Sequence, residues 1–349
     1  MKILCTVTND LSHDQRMDRI CNSLQAAGHE VTLVGRLRPS SRPLSDKSYR
    51  QHRIPCHYEY GKLFYLEYNW KLWRHLRKWP YDLIYSVDLD TLLAGTLLTR
   101  GQADKKLVFD AHEWFSETPE VVNRPTIRAI WRGVGKALVP LTDARFTVAP
   151  MLAEKLSEEY GCPFGAVRSL PLRREIIRQT PAKKIILYQG MLNPGRGLKT
   201  AIAAMAELPD CELWLVGSGP EVGALRRCSE QFEVQNQVKF LGFRPPAELP
   251  ALTQQAWLGL NLLDAVSPSY YYSLANKALD YVQAGLPSVQ MDFPEYRALN
   301  EQYGCYRLLP ELNPLALAEI IRHLAEDWQA YQKLQERCSL AAVELCWER

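Results

Sequence analysis

KIILYQGMLNPGRGLKTAIAA, residues 184–204, changes its period half-way. Through Tyr188 it is almost wholly apolar, as in a strand buried on both faces. Beyond Arg196 apolar residues recur at helical spacing. A Pro194–Gly195 turn separates the two parts. Buried strand, tight turn and helix together make the opening of a parallel β-α-β unit. A parallel sheet also fixes where chemistry belongs, because its ligands collect beyond the carboxyl ends of the strands.

The rhythm runs through the chain. Strands are predicted at 2–8, 30–35, 82–88, 106–111 and 144–149, with helices near 14–28, 66–79, 91–100, 124–140 and 151–160. The second half repeats it, with strands at 184–190, 211–217, 237–242, 257–263 and 287–292. Its helices fall near 196–207, 220–231, 246–256, 274–284 and 313–325. Two such series predict an α/β protein of two doubly wound Rossmann-like domains, 1–172 and 173–327, facing an interdomain cleft. The joint is expected near 168–183, where RSLPLRREIIRQTPAK is charged and Pro-containing. A last helix, 328–345 within 328–349, is expected to pack back on the first domain.

Bulk properties bound the partners. The 349 residues match two domains at roughly 150 each. A net charge of +3, from 42 basic and 39 acidic residues, is too balanced for bulk nucleic-acid binding. The nine cysteines include no CxxC pair, which fits a reducing cytoplasm with neither disulfides nor zinc. MKILCTVTND does not read as a signal peptide, and no run approaches the roughly 20 apolar residues of a membrane span.

The strand ends carry the candidate site. After strand 184–190, Gly195, Arg196 and Gly197 open a helix, where free amides and a guanidinium suit a phosphate; a plain turn with a solvated Arg is the bland reading. LVGSGP (215–220) puts Gly217 and Gly219 around Ser218, a weak Gly-x-Gly signal that a tight turn explains equally. In FLGF (240–243), Phe243 could border a flat base. SYYYSLANKALDYVQAGLP (269–287) follows strand 257–263. Tyr270–Tyr272 are expected in its loop, Ser273 as N-cap and Leu274 and Asn276 in the first turn. Lys277 then faces a diphosphate, and Asp280, a turn on, accepts from ribose hydroxyls. An i,i+3 ion pair on an ordinary helix is the alternative.

In the first domain, FDAHEWFSE (109–117) places His112 and Glu113 at a strand end, where a His can donate to a sugar hydroxyl or act as acid or base. In the loop NDLSHDQR (9–16), Arg16 is expected to meet the ligand from the opposite side, with Asp10 beside it. SVDLDT (86–91) looks like a DxD metal motif, but Asp88 ends a strand and Asp90 can N-cap the next helix, so no metal ligand is assigned. LFYLEYNWKLWRHLRKWP (63–80) fits an aromatic core face with a basic solvent face. It also suits peripheral contact at the inner face of a membrane.

These stretches together resemble the GT-B-fold glycosyltransferases of the large family 4 group, over essentially the whole length. NKALDYVQAGLPSV (276–289) is similar to that group's PxK-x-x-E-Y-M-x-x-G-x-P-V segment, YQGMLNPGRGL (188–198) to its GR-x(4)-KG-L and LVGSGP to its VGxGP. DAHEWFSETPEVVNRP (110–125) resembles a subgroup with a DxHE-F-x-E-x-PE stretch. The resemblance implies transfer of a sugar from a nucleoside diphosphate sugar to a hydroxyl of a glycan or lipid-linked glycan, with retention and without metal or resident cofactor. It implies that Asp280 holds the donor ribose, that Arg196 and Lys277 neutralise the diphosphate, and that His112 contacts the donor sugar. The chain departs from the pattern at Met191, where the group has Arg, and at Tyr272, where it has the first Glu of an E-x7-E pair. A nucleotide-sugar epimerase on the same fold and a non-catalytic nucleotide-sugar-binding subunit stand as alternatives.

Overall fold

The apolar runs are strands, and each pairing between them is parallel. The computed structural model describes residues 1–12, 14–176 and 183–349. His13 of the 9–16 loop and residues 177–182 of the expected joint lie outside the described residues. The chain divides into two compact units, Met1–Arg168 and Ser169–Arg349.

The first unit runs β1 (Lys2–Thr6), α1 (Gln15–Ala26), β2 (Glu30–Leu37), β3 (Arg50–Pro55), α2 (Gly61–Leu76), β4 (Leu83–Val87), α3 (Leu89–Thr99) and β5 (Lys106–Ala111). It continues with α4 (Pro119–Val122), α5 (Pro125–Leu138), β6 (Ala144–Thr147), α6 (Pro150–Tyr160) and β7 (Gly165–Ala166). The strand order is β3-β2-β1-β4-β5-β6-β7. Direction reverses between β1 and β4, and that switch point is where an open sheet parts its crossover helices.

The second unit runs β8 (Lys184–Gln189), α7 (Leu198–Ala204), β9 (Cys211–Val216), α8 (Val222–Gln231), β10 (Val238–Gly242), α9 (Leu249–Gln255) and β11 (Leu258–Asn261). Then come α10 (Pro268–Tyr271), α11 (Asn276–Gln283), β12 (Ser288–Met291), α12 (Pro294–Tyr303), β13 (Tyr306–Leu309), α13 (Pro314–Glu326) and α14 (Trp328–Glu344). The order β10-β9-β8-β11-β12-β13 puts its switch between β8 and β11.

Local chemistry explains the boundaries. Pro opens α5, α6, α12 and α13, where a missing N–H costs nothing. Asp327 ends α13 and accepts from the Ala330 amide to cap α14. In the second core, Gly259 leaves room for the Tyr281 ring, and the Tyr281 hydroxyl donates to the carbonyls of Leu187 and Leu260 at 3.1 and 3.2 Å. α14 packs on α11, where Gln283 donates to the carbonyls of Ala342 and Leu345 at 2.5 and 3.1 Å.

Six elements escape the sequence pattern: β3, β7, α4, α10, α12 and β13. β3 is an edge strand that buries only Ile54 fully, so RQHRIP shows no apolar run. β7 is two exposed residues. α12 and β13 come from a polar stretch in which Tyr296, Leu299, Tyr306 and Leu309 do the burying. Two caps also differ. Pro268–Tyr271 forms a one-turn helix capped by Ser267 rather than a loop. Ser273 does not cap α11; its hydroxyl donates to the Tyr270 carbonyl, and Ala275 occupies the N-cap.

Candidate functional site

In the second unit the loops after β8, β9 and β11 and the first turn of α11 meet at the switch point. They approach so closely that several glycines are obligatory. A Cβ on Gly217 (φ +146) would lie 1.9 Å from the Gly190 carbonyl oxygen, one on Gly219 2.3 Å from that of Leu192, and one on Gly197 (φ +63) 2.2 Å from that of Leu262. Gly217 and Gly219 are thus glycines because the 190–192 loop crosses them, which is the tight-turn reading of LVGSGP. Backbone bonds brace the same crossing: Leu192 N–H to the Ser218 carbonyl at 2.9 Å, Glu221 N–H to that of Leu192 at 3.1 Å. Gly195 (φ +75) sits against the Tyr270 ring and accepts from the Asp264 amide at 2.9 Å.

Two cations gather on this frame. Lys277 is only 9% exposed. Its Nζ donates to Asn261 Oδ1 at 3.4 Å, lies 4.8 Å from the centre of the Tyr188 ring and rests beside Gly190. Burial, then the nearby Arg196, depress its pKa to about 7, with Asp280 opposing. Arg196 lays its guanidinium over the Tyr270 ring at 4.6 Å, and its Nε is buried without a hydrogen-bond partner. Such an orphaned donor is costly unless something accepts from it. Asp280 is partly buried and accepts from Gln189 Nε2 at 3.4 Å, while Gln189 Oε1 accepts from Thr253 at 3.0 Å.

Asn261 was not anticipated. It is fully buried and donates to Gln290 Oε1 at 2.8 Å, which aims its oxygen at Lys277. The clue lay in WLGLNLL, where Asn261 is the one polar side chain in an apolar strand. Gln189, Tyr188 and Tyr270 were likewise missed, since only the tertiary contacts give them a cation or carboxylate to meet. Leu274 is buried and Asn276 exposed at the head of α11. Tyr272 packs edge-on against Tyr271 at 5.1 Å. Phe243 and Met191 are exposed, the Met191 carbonyl accepting from the Tyr188 hydroxyl at 2.8 Å.

The first unit builds a second cluster at its own switch point. Thr8, beyond β1, donates to Asp90 Oδ2 at 2.8 Å, and Asp90 Oδ1 is buried without a partner. Asp90 is therefore not the N-cap of α3. That position belongs to Asp88, held at φ 57, whose Oδ1 accepts from the His112 amide at 2.8 Å. Burial pushes both carboxyls up in pKa. His112 Nε2 lies 3.3 Å from Asp110 Oδ2. Burial opposes charge on His112, but Asp110 outweighs it and raises its pKa to about 9. Asp110 is fully buried, yet Arg16 and His112 hold it well below the usual carboxylate range.

Arg16 corrects an expectation. It is only 5% exposed and does not await a ligand. Its guanidinium grips Asp110 as a fork, Nη2–Oδ1 at 2.9 Å and Nε–Oδ2 at 3.2 Å, and Nη1 donates to the Val167 carbonyl at 2.7 Å. The Tyr85 hydroxyl adds a further bond to Asp110 at 2.9 Å. Arg16 thus acts on His112 through Asp110. Asp10 accepts from the Ser12 amide and the Ser41 hydroxyl at 3.2 and 3.0 Å, and Glu113 is exposed. Among the described residues no three His, Cys, Asp or Glu side chains are arranged to hold a metal ion, and all nine cysteines are free thiols.

Comparison with known proteins identifies the family and the fold. A family model described as Glycosyltransferase Family 4 matches residues 15–172, and one described as Glycosyl transferases group 1 matches residues 172–342. A comparison with curated protein sequences returns no match. Among solved structures, sucrose-phosphate synthase from Thermosynechococcus elongatus superposes with a TM-score of 0.79 at 20% identity, over 100% of this chain and 96% of that one. HepE from Anabaena, solved in complex with UDP-glucose, gives 0.76 at 18%, over 99% and 95%. WaaG, described as a glycosyltransferase involved in lipopolysaccharide biosynthesis, gives 0.71 at 16%, over 98% and 95%. With both halves matched in order and the two doubly wound sheets in place, the chain belongs to the family 4 group and is a glycosyltransferase of the GT-B fold.

Proposed function

We propose that this glycosyltransferase takes its sugar from a nucleoside diphosphate sugar bound at the β8–β11 switch point. It passes that sugar to a hydroxyl of a glycan or lipid-linked glycan, with retention and without a metal ion. The observation that carries the donor assignment is a pair of cations, one buried and the other half-buried with an unpartnered Nε. Lys277 is buried against an amide oxygen and a ring, and Arg196 carries an orphaned buried N–H. Desolvated positive charge is expensive, and a diphosphate supplies compensating negative charge. HepE, of the same fold, is described with UDP-glucose.

The chemistry follows from charge. As the glycosidic bond breaks, negative charge grows on the diphosphate and positive charge on the sugar. Fixed donors that meet such growing charge lower a barrier by about 3–4 kcal/mol each. Arg196 is held flat on Tyr270 and Lys277 is aimed by Asn261, so little reorganisation remains for the reaction. Asp280, tethered by Gln189, accepts from ribose hydroxyls. The departing phosphate takes the acceptor's proton on the face it leaves, which yields retention. His112 contacts the transferred sugar.

A thermal-shift screen of UDP-, GDP-, ADP- and TDP-sugars tests the reading, since binding to the native state alone raises the melting temperature. One nucleotide series should raise it, and Arg196→Ala should abolish the rise while the protein stays folded. His112→Ala should reduce transfer far more than nucleotide affinity measured by titration calorimetry. An Arg196→Ala protein that binds and turns over donor normally would end the diphosphate assignment.

A further inference from the structure

Two arginines of the first unit are buried to nearly the same degree, Arg16 at 5% and Arg36 at 7% exposed. Arg16 gives the Nε–Nη2 edge of its guanidinium to Asp110 as a fork. The same edge of Arg36 is open. Its Nε is buried with no acceptor, and Nη2 has none among the described residues. Nη1 alone is used, donating to the Glu59 carbonyl at 2.6 Å. The guanidinium lies 4.2 Å from the centre of the Phe64 ring, and among the described residues no carboxylate pairs with it. A ring face and one carbonyl compensate a desolvated guanidinium only in part.

Arg36 stands where this sheet would hold a ligand. It is the penultimate residue of β2, and its amide donates to the Asn9 carbonyl, in the loop after β1, at 2.9 Å. The register sets it beside Ile54, near the end of β3. The carboxyl ends of three parallel strands thus come together here, and ligands collect beyond such ends. A second arginine braces the same loops. Arg53 donates to the carbonyls of Asp10 and Arg42 at 2.6 and 2.5 Å and to the Ser12 hydroxyl at 3.0 Å. The acidic neighbours do not answer Arg36. Asp10 accepts from the Ser12 amide and the Ser41 hydroxyl, and Asp14 accepts from Asn9 and the Met17 amide. Asp46 and Glu59 are exposed, and Glu59 meets Arg36 through its carbonyl.

We propose that the open fork of Arg36 binds an oxyanion, a phosphate or a carboxylate, carried by the acceptor, so that the enzyme glycosylates an anionic acceptor. A planar guanidinium edge meets either group with two parallel hydrogen bonds. The donor's phosphates are assigned to Arg196 and Lys277 in the second unit, which leaves this site to the other substrate. Naming that substrate the acceptor rests on the donor reading; the anion site itself does not. A brace between β2 and the loop before α2 needs only Nη1 and the ring contact. It would leave a buried N–H unsatisfied, at a cost that a bound oxyanion removes.

The Nε–H signal of Arg36 in the isotope-labelled full chain tests it, assigned by its loss in Arg36→Lys. Inorganic phosphate should move that signal, and should still do so in Arg196→Ala, where the donor site is disabled. Glucose 6-phosphate and glucuronate at equal ionic strength separate a phosphate reader from a carboxylate reader, and glucose should leave the signal in place. Arg36→Lys keeps the charge but loses the fork. In the Arg196→Ala background it should weaken binding of the effective anion by about tenfold or more in titration calorimetry. Arg36→Lys alone should keep the nucleotide-induced rise in melting temperature, which certifies its fold. A native chain that lacks this rise counts against the donor assignment and leaves the Arg36 signal to be read as before. Should Arg36→Lys not fold, Arg196→Ala must still melt higher with glucose 6-phosphate or glucuronate than with glucose. In a panel of glycan acceptors, those that receive sugar should carry phosphate or carboxylate. The inference is overturned if no anion moves the Arg36 signal, if glucose moves it equally, if folded Arg36→Lys binds the anion as tightly, or if uncharged glycans are the better acceptors.

Discussion

Lys277 shows how a residue's chemistry depends on where the fold puts it. In the folded protein its pKa is depressed to about 7, against 10.5 for an ordinary lysine. Between those values the unfolded chain holds more protons than the folded one. Stability contributed at this residue therefore rises as pH rises from about 7 toward about 10.5. Lys277→Met should raise the melting temperature at and below pH 7, corresponding to roughly 2–4 kcal/mol, and flatten its rise with pH. The same variant should lose affinity for the nucleotide diphosphate. Scanning fluorimetry across pH, with and without nucleotide, checks both. Unaltered stability in the folded variant would mean that Lys277 is not burdened by burial.

The Arg16–Asp110–His112 group has the opposite sense. His112 is raised to about 9 and Asp110 is held low. The His112 contribution is fully present below its unfolded value of about 6.5 and is lost as pH rises through about 9. The Asp110 contribution is present above the ordinary carboxylate range and is lost as pH falls through its depressed folded value. Asp110→Asn should bring His112 back toward about 6.5, read from the ring shifts in an NMR titration. It should also cost about 3–5 kcal/mol in urea unfolding, because Arg16 is left buried and uncompensated. At this scale the sequence was a partial guide. His112, Lys277, Asp280 and Arg196 stood out because charged or titratable side chains follow apolar strands. Arg16 misled, because nothing local says that an arginine in the first turn of α1 will be claimed by a carboxylate 94 positions away.

At the scale of the element, the loops of the second site are set by contact between backbones. A side chain at Gly217 must displace the Gly190 carbonyl and also adopt a φ of +146. Gly217→Ala should cost at least about 2 kcal/mol in denaturant unfolding. It should weaken nucleotide binding too, since the 190–192 loop adjoins Lys277. Gly223→Ala, on α8 with room for a methyl group, should be neutral or mildly stabilising and serves as the control. Most elements were legible because a strand buried on both faces must be apolar throughout, and a crossover helix must show a period of 3.6. β3, α12 and β13 were not, because edge strands and half-exposed helices bury too few side chains to mark a period. The caps at Ser273 and Asp90 were misread for a related reason. Each had a suitable side chain, but the hydroxyl and the carboxylate found other partners.

At the scale of the whole molecule, each unit owns a complete sheet and a separate core. The fragment Ser169–Arg349 is therefore expected to unfold cooperatively by itself and to retain the nucleotide response. Circular dichroism with a thermal-shift titration checks this, and a molten fragment would show that the core needs the first unit. The sequence by itself determined the two parallel α/β halves, because burial on both faces forces period and polarity to be written locally, and its motifs carried the resemblance to family 4. Only the tertiary structure decided which polar groups meet. It spent Arg16 on Asp110 and set Asn261 under Lys277. Partners far apart in the chain are chosen by desolvation and distance, and neither leaves a mark in the spacing of residues along it.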